Sequence, residues 1–148
     1  MNPSHIAACA LLALPACTFA ALGSTADSVQ SDQVKMKAAS RISRSVANFT
    51  VEQMQLASGT TVREYVAANG QVFGVAWNGP VKPDLQQVLG QYFSALSDPT
   101  AIKHGNHSQL HLQKGALVIH SSGHMRAFSG HAYLTTALPQ GVTASDIQ

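Results

Sequence analysis

The sequence predicts an α+β fold. One curved antiparallel sheet of hairpins and meander packs against a single amphipathic helix, preceded by a signal peptide and a flexible lead-in. Three observations point there. Apolar and polar residues alternate in short segments from Phe49 onward, the mark of half-buried strands. Asn69-Gly70 divides two such segments and is the strongest short hairpin signal. Leu85, Val88, Leu89, Tyr92 and Leu96 fall on one stripe at helical spacing, the signature of a helix with one buried face.

Taken in order, residues 1–20 read as the signal peptide. Ile6 to Leu14 is an apolar run, Pro15 breaks it, and Thr18-Phe19-Ala20 sets small residues where a signal peptidase cuts, near Ala20/Ala21. The run lacks a preceding Lys or Arg. Pro15, Thr18 and Gly23 interrupt it short of the roughly 20 apolar residues of a membrane span, so no transmembrane anchor is expected. Leu14-Pro15-Ala16-Cys17 offers an alternative, processing as a lipoprotein acylated at Cys17. Both cysteines lie in this leader, so the exported domain is expected to hold together without disulfides.

Residues 21–48 are rich in Ser, Gln, Ala, Asp and Lys with scattered apolar residues. That composition buries too little to offset ordering entropy and reads as a flexible lead-in. A single domain is expected over residues 49–138. Folding the chain about Asn69-Gly70 as a type I′ turn sets Val66 opposite Phe73, Glu64 opposite Val75 and Val62 opposite Trp77. This is the expected core face. Tyr65 and Arg63 then lie on the other face, against Gly74 and Ala76. Asn78 to Pro83 stops the sheet, since proline donates nothing to a ladder. Asp84 caps the helix with Gln87 completing a capping box, and Asp98-Pro99 ends it after Leu96.

The C-terminal third reads as a meander turning at Lys114-Gly115, Ser121-Ser-Gly123 and Ser129-Gly130. That threading puts Leu110, Leu112, Leu117, Ile119, Met125, Ala127, Ala132 and Leu134 on one face. His111, Val118, His120, His124, Arg126, Phe128, His131 and Tyr133 fall on the other. Residues 139–148 read as a fraying tail.

Charged residues are 11% of the chain, with nine Lys+Arg against seven Asp+Glu. That balance is too nearly neutral to draw nucleic acid by its field. Six of the seven histidines lie between His104 and His131. Imidazoles on neighbouring strands can converge on zinc or copper, with His111, His120 and His124 the candidate ligands. No Cys, Asp or Glu lies near to complete such a site, and surface or hydrogen-bonded histidines are the competing reading. No cofactor is otherwise implied.

Zincin, nucleophile-elbow and phosphate-loop motifs are absent. A triad of Ser122, His124 and Asp98 has no spacing that orients its members. Glu64, on the expected core face, would carry a raised pKa if buried; an edge position or a partner such as Arg126 is the expectation. Trp77 reads as core, with stacking on a sugar the alternative.

Leu56 to Val66 (LASGTTVREYV), Gly70 to Trp77 (GQVFGVAW), Pro83-Asp-Leu85 and Gly123 to Tyr133 (GHMRAFSGHAY), together with Ala21-Leu22-Gly23, resemble one family. It comprises small exported proteins of Gram-negative bacteria catalogued as a domain of unknown function. The resemblance implies export and a shared fold, and no activity or catalytic residue. His124, Arg126, Phe128, His131 and Tyr133, a polar, aromatic and basic string, are the expected ligand or partner contacts. The expected function is a non-enzymatic periplasmic or secreted binding module for an envelope protein or cell-wall polymer. A metal-binding envelope protein and an exported hydrolase are the alternatives.

Overall fold

A computed structural model of the chain describes residues 22–100, 102–104 and 108–148. The expected leader and its cleavage point therefore lie outside the described residues. The fold is α+β, an open curved antiparallel sheet with helices on one face. Its strands are β1 (Ala38–Val46), β2 (Phe49–Leu56), β3 (Thr61–Ala67), β4 (Val72–Gly79), β5 (Ile102–His104), β6 (Gln109–Lys114), β7 (Leu117–His124) and β8 (Ala127–Leu134). They lie in the order β1-β2-β3-β4-β8-β7-β6-β5. Two four-stranded meanders thus meet where β8 pairs with β4, and a helical crossover carries the chain from the sheet's middle to its far edge. No helix among the described residues is long and apolar enough to cross a membrane.

The stretch expected as a flexible lead-in instead forms α1 (Asp27–Lys35) and the edge strand β1. Composition misled because the ordering contacts are long-range. Gly23 N donates to Val72 O at 2.8 Å and Ala26 N to Gly70 O at 2.7 Å, while Leu22, Val29 and Asp32 are buried. Arg41 Nε and Ser43 Oγ, on β1, donate to the Glu52 carboxylate at 2.9 and 2.8 Å.

The β3–β4 hairpin keeps the expected pairs Val62–Trp77, Glu64–Val75 and Tyr65–Gly74, but Val66 pairs with Val72 across a register shift. Gly70 alone takes positive φ, +82°, while Ala67 N bonds Gln71 O and Gly70 N bonds Ala67 O. This is a longer turn with a glycine at its left-handed position, in place of the two-residue type I′ turn. The extra residue sends Phe73 to the opposite face. There it joins Phe49 and Tyr65, with ring centroids 5.8–6.1 Å apart.

The helix expected over Asp84 to Leu96 is shorter. α2 spans Leu85–Leu89, capped by Asp84 Oδ1 accepting from Gln86 N at 2.9 Å. Gly90 (φ +53°) breaks it, and a 3₁₀ segment, Gly90–Ser97, follows. Gln87 does not return to Asp84; its Nε2 donates to Asp32 Oδ1.

The C-terminal meander turns elsewhere than expected. β7 and β8 form one long hairpin about Met125-Arg126, with Ser121 opposite Gly130 and Ser122 opposite Ser129. Gly123 and Gly130 are not turn residues. A Cβ on Gly130 would strike the Trp77 ring and His120 O, and one on Gly123 would strike the Phe128 ring. Both are glycines for close approach. Met125, expected in the core, is 96% exposed at the hairpin tip.

Two cores result. On the helix side, Met54, Val62, Val75, Trp77, Leu117 and Ile119 pack with Val88, Leu89 and α1's Val29. On the other side, Tyr65, Phe73 and Ala76 are covered by Ile147 and flanked by Leu138 and Val142. The expected fraying tail is therefore docked. It turns through the 3₁₀ segment Ala144–Asp146, and Tyr65 Oη donates to Gln148 O at 2.8 Å.

Candidate ligand-binding groove

Because side chains alternate at every strand, each line of register partners forms a row on one face. One row crosses the sheet as His111–His120–His131–Ala76–Arg63–Gln53. His111, His120 and His131 are direct cross-strand neighbours. The His111 and His120 rings lie 4.0 Å apart between centroids, tilted at 41°, His120 and His131 stack at 4.9 Å, and Tyr133 extends the series at 6.1 Å.

The imidazoles line a groove of about 910 Å³ together with Asn78, Gln109, Ser122, Ser129 and Arg63. Ser122 and Ser129 hydroxyls meet at 3.0 Å. Arg63 is held at the groove's end, its Nε donating to Gln53 Oε1 at 3.1 Å and Nη1 to Gln148 O at 3.0 Å. Among the described lining residues there is no Asp or Glu. Burial holds the His120 and His131 pKa below the usual imidazole value, and the neighbouring imidazole, His111 or His120, pushes the same way. Both rings are therefore neutral at pH 7.

The expected contact residues divide. His131 and Tyr133 stand on the groove's face. His124 shares it but sits at the end of β7 opposite Ala127, away from the imidazole row. Arg126 occupies the hairpin tip with φ +61°. Phe128 packs over Gly123 on the opposite face, because the true turn shifts its parity. Of the expected metal ligands, His111 and His120 are adjacent and His124 is not; His131 takes its place. Among the described residues no group of three or more His, Cys, Asp or Glu is arranged to hold a metal. The triad of Ser122, His124 and Asp98 is not assembled: Asp98 accepts from Lys114 and Thr100, and Ser122 bonds Ser129.

Arg63, Asn78, Gln109, Ser122 and Ser129 were not singled out by the sequence as groove residues. Arg63's face was legible from the hairpin. Its alignment with the histidines depends on the β4–β8 pairing, which no local signal encodes.

One matching family model covers most of the chain, residues 18–147, and is described as "Protein of unknown function (DUF2844)". The chain belongs to this family. No curated protein and no solved structure matches it.

A second feature lies on the helix side of the same strands. Glu64 is 1% exposed and Asp32 of α1 0%. Glu64 does not pair with Arg126; it hydrogen-bonds Asp32, because α1 docks over β3 and Arg126 is at the distant hairpin tip. Burial raises the Glu64 pKa well above the usual carboxyl range, and the bond to Asp32 and its charge raise it further. Burial pushes Asp32 up to about 6, against the bonds from Glu64 and Gln87. Of the two carboxyls, Glu64 therefore holds the proton, donating a hydrogen bond to Asp32. Asp32 Oδ2, Glu64 Oε2 and Trp77 Nε1 have no protein partner. Trp77 is buried in the core, as expected.

Proposed function

We propose that this chain is an exported, non-enzymatic binding module that holds part of an envelope protein or cell-wall polymer in the groove over the imidazole row. The observation that carries this is the groove: hydroxyl, amide and imidazole groups converge on one concave face of a rigid sheet. Concave sites with a few convergent polar groups are the default binding hypothesis. The leader-like residues 1–20 support export.

The test is a photo-crosslinking residue placed in intact cells at Gln109, in the groove, or at Val34, 74% exposed on α1. Capture of a defined species from position 109 and not from 34 is expected. Equal capture from both, or none from 109, refutes the reading. Mass spectrometry of the same material, with the chain starting at Ala21, checks export by ordinary cleavage.

Metal binding is the second reading, favoured by the direct adjacency of His111, His120 and His131 on three strands. Their rings would have to rotate to share an ion. Calorimetry with Zn²⁺ alone is decisive: one site per chain, abolished by His120→Ala, supports it.

A further inference from the structure

We infer that the groove's ligand is an acidic glycan, a short run of carboxylate-bearing sugars lying across the strands along the imidazole row toward Arg63. The inference rests on reading the groove as a binding site and adds the chemical class of what it takes.

The charge of the lining is the first argument. Its described side chains include the Arg63 guanidinium and no Asp or Glu, so an anion meets attraction at one end and no acidic side chain along the way. The acid of the C-terminal segment, Asp146, is committed to Thr143 N and Oγ1 at 2.7 and 2.9 Å. Arg63 is also pre-set. Gln53 and Gln148 fix its side chain, so little rotamer entropy remains to be lost when it meets a carboxylate.

The neutral remainder of the lining argues for sugar. Ser122, Ser129, Asn78 and Gln109 each donate and accept hydrogen bonds, as a polyhydroxylated ligand requires. A bare phosphate chain would use only the donors. Shape agrees as well. Strands lie about 4.8 Å apart, so His111 to Arg63, four strand spacings, covers about 19 Å. Ile147 covers Ala76 in this row, so the groove reaches Arg63 past Ser129 and Asn78, with Gln148 beside Arg63. The open path is therefore several sugar residues long.

The experiment uses the purified protein and three probes: an oligogalacturonate tetramer, neutral cellotetraose and inorganic tripolyphosphate. Calorimetry is run at low and high salt. The acidic tetramer is expected to bind at least tenfold more tightly than cellotetraose and to weaken as salt rises. Arg63→Gln is expected to cut its affinity about tenfold. Ser122→Ala, which leaves the Gln53–Arg63–Gln148 contacts intact, is expected to weaken both sugars. Cellotetraose binding as tightly as the acidic tetramer overturns the charge assignment while the groove reading stands. Tripolyphosphate binding as tightly overturns the assignment to a glycan. Binding of no probe overturns the inference, and position-109 crosslinking then judges the groove separately.

Discussion

Replacing Glu64 with glutamine should make the protein more stable at neutral pH and leave it unchanged in acid. The folded state keeps the Glu64 proton, whereas in the unfolded chain this carboxyl loses it around its ordinary value of 4.5. A raised folded pKa contributes stability that is complete below the unfolded value and is lost as pH rises toward the folded one. Each pH unit above 4.5 over which Glu64 keeps its proton costs 1.36 kcal/mol, which caps the cost at pH 7 at roughly 3 kcal/mol. Asp32 adds to the slope between its unfolded value of 3.8 and about 6. The glutamine side chain of the Glu64→Gln variant has nearly the same shape, donates an amide N–H to Asp32, and titrates nowhere. Urea unfolding at pH 4, 5.5 and 7 measures this, since domains of this size usually unfold in one step. The variant and the parent should match at pH 4, with the variant ahead by up to roughly 3 kcal/mol at pH 7. A difference that does not widen between pH 4 and pH 7 would refute the protonated Glu64.

Two further substitutions probe the packing. Gly130→Ala places a methyl against the Trp77 ring and 2.6 Å from His120 O. Backbone and a buried indole cannot both yield, so about 3 kcal/mol or more should be lost, read as a lowered urea midpoint. Ile147→Ala removes a fully buried side chain from over Gly74 and should cost about 2–5 kcal/mol. Gly74→Ala, whose Cβ would sit 3.0 Å from Ile147 Cδ1, should be harmful alone and nearly silent in the Ile147→Ala background. Additive effects of the two would disprove the docking of the C-terminal segment.

Much of the fold was legible wherever the determinant was local. The alternation of Val62, Glu64 and Tyr65 against Gly74, Val75 and Trp77 gave the central hairpin its register, and Asp84 announced its helix. The failures share a physical origin: the same residue type serves two purposes. Gly123 and Gly130 carry the composition of turns, yet they exist because an aromatic ring lies against their backbone. Ser28, Val29 and Asp32 make a poor helix face by hydropathy. It becomes a good one only against Glu64 and Gln87, which are distant in sequence. For the groove, the histidine-bearing face was legible in outline, and misplacing the turn by a few residues moved Phe128 onto it and His131 away from His120.

The position of the bulge explains how two faces with opposite needs share one sheet. Glu64 and Arg63 are neighbours in sequence and head adjacent rows, one running through Val75, Ala132 and Ile119, the other through Ala76, His131 and His120. A slip of one residue would put the histidines into the apolar core and the valines into the groove. The shift between Tyr65 and Val66 falls just beyond both rows. It can therefore hand Phe73 to the second core, keep Val66 and Val72 in the first, and leave the groove's register untouched. Stability and recognition then lie on alternate residues of the same strands. Glu64→Gln should consequently change unfolding without altering ligand affinity, and Ser122→Ala the reverse.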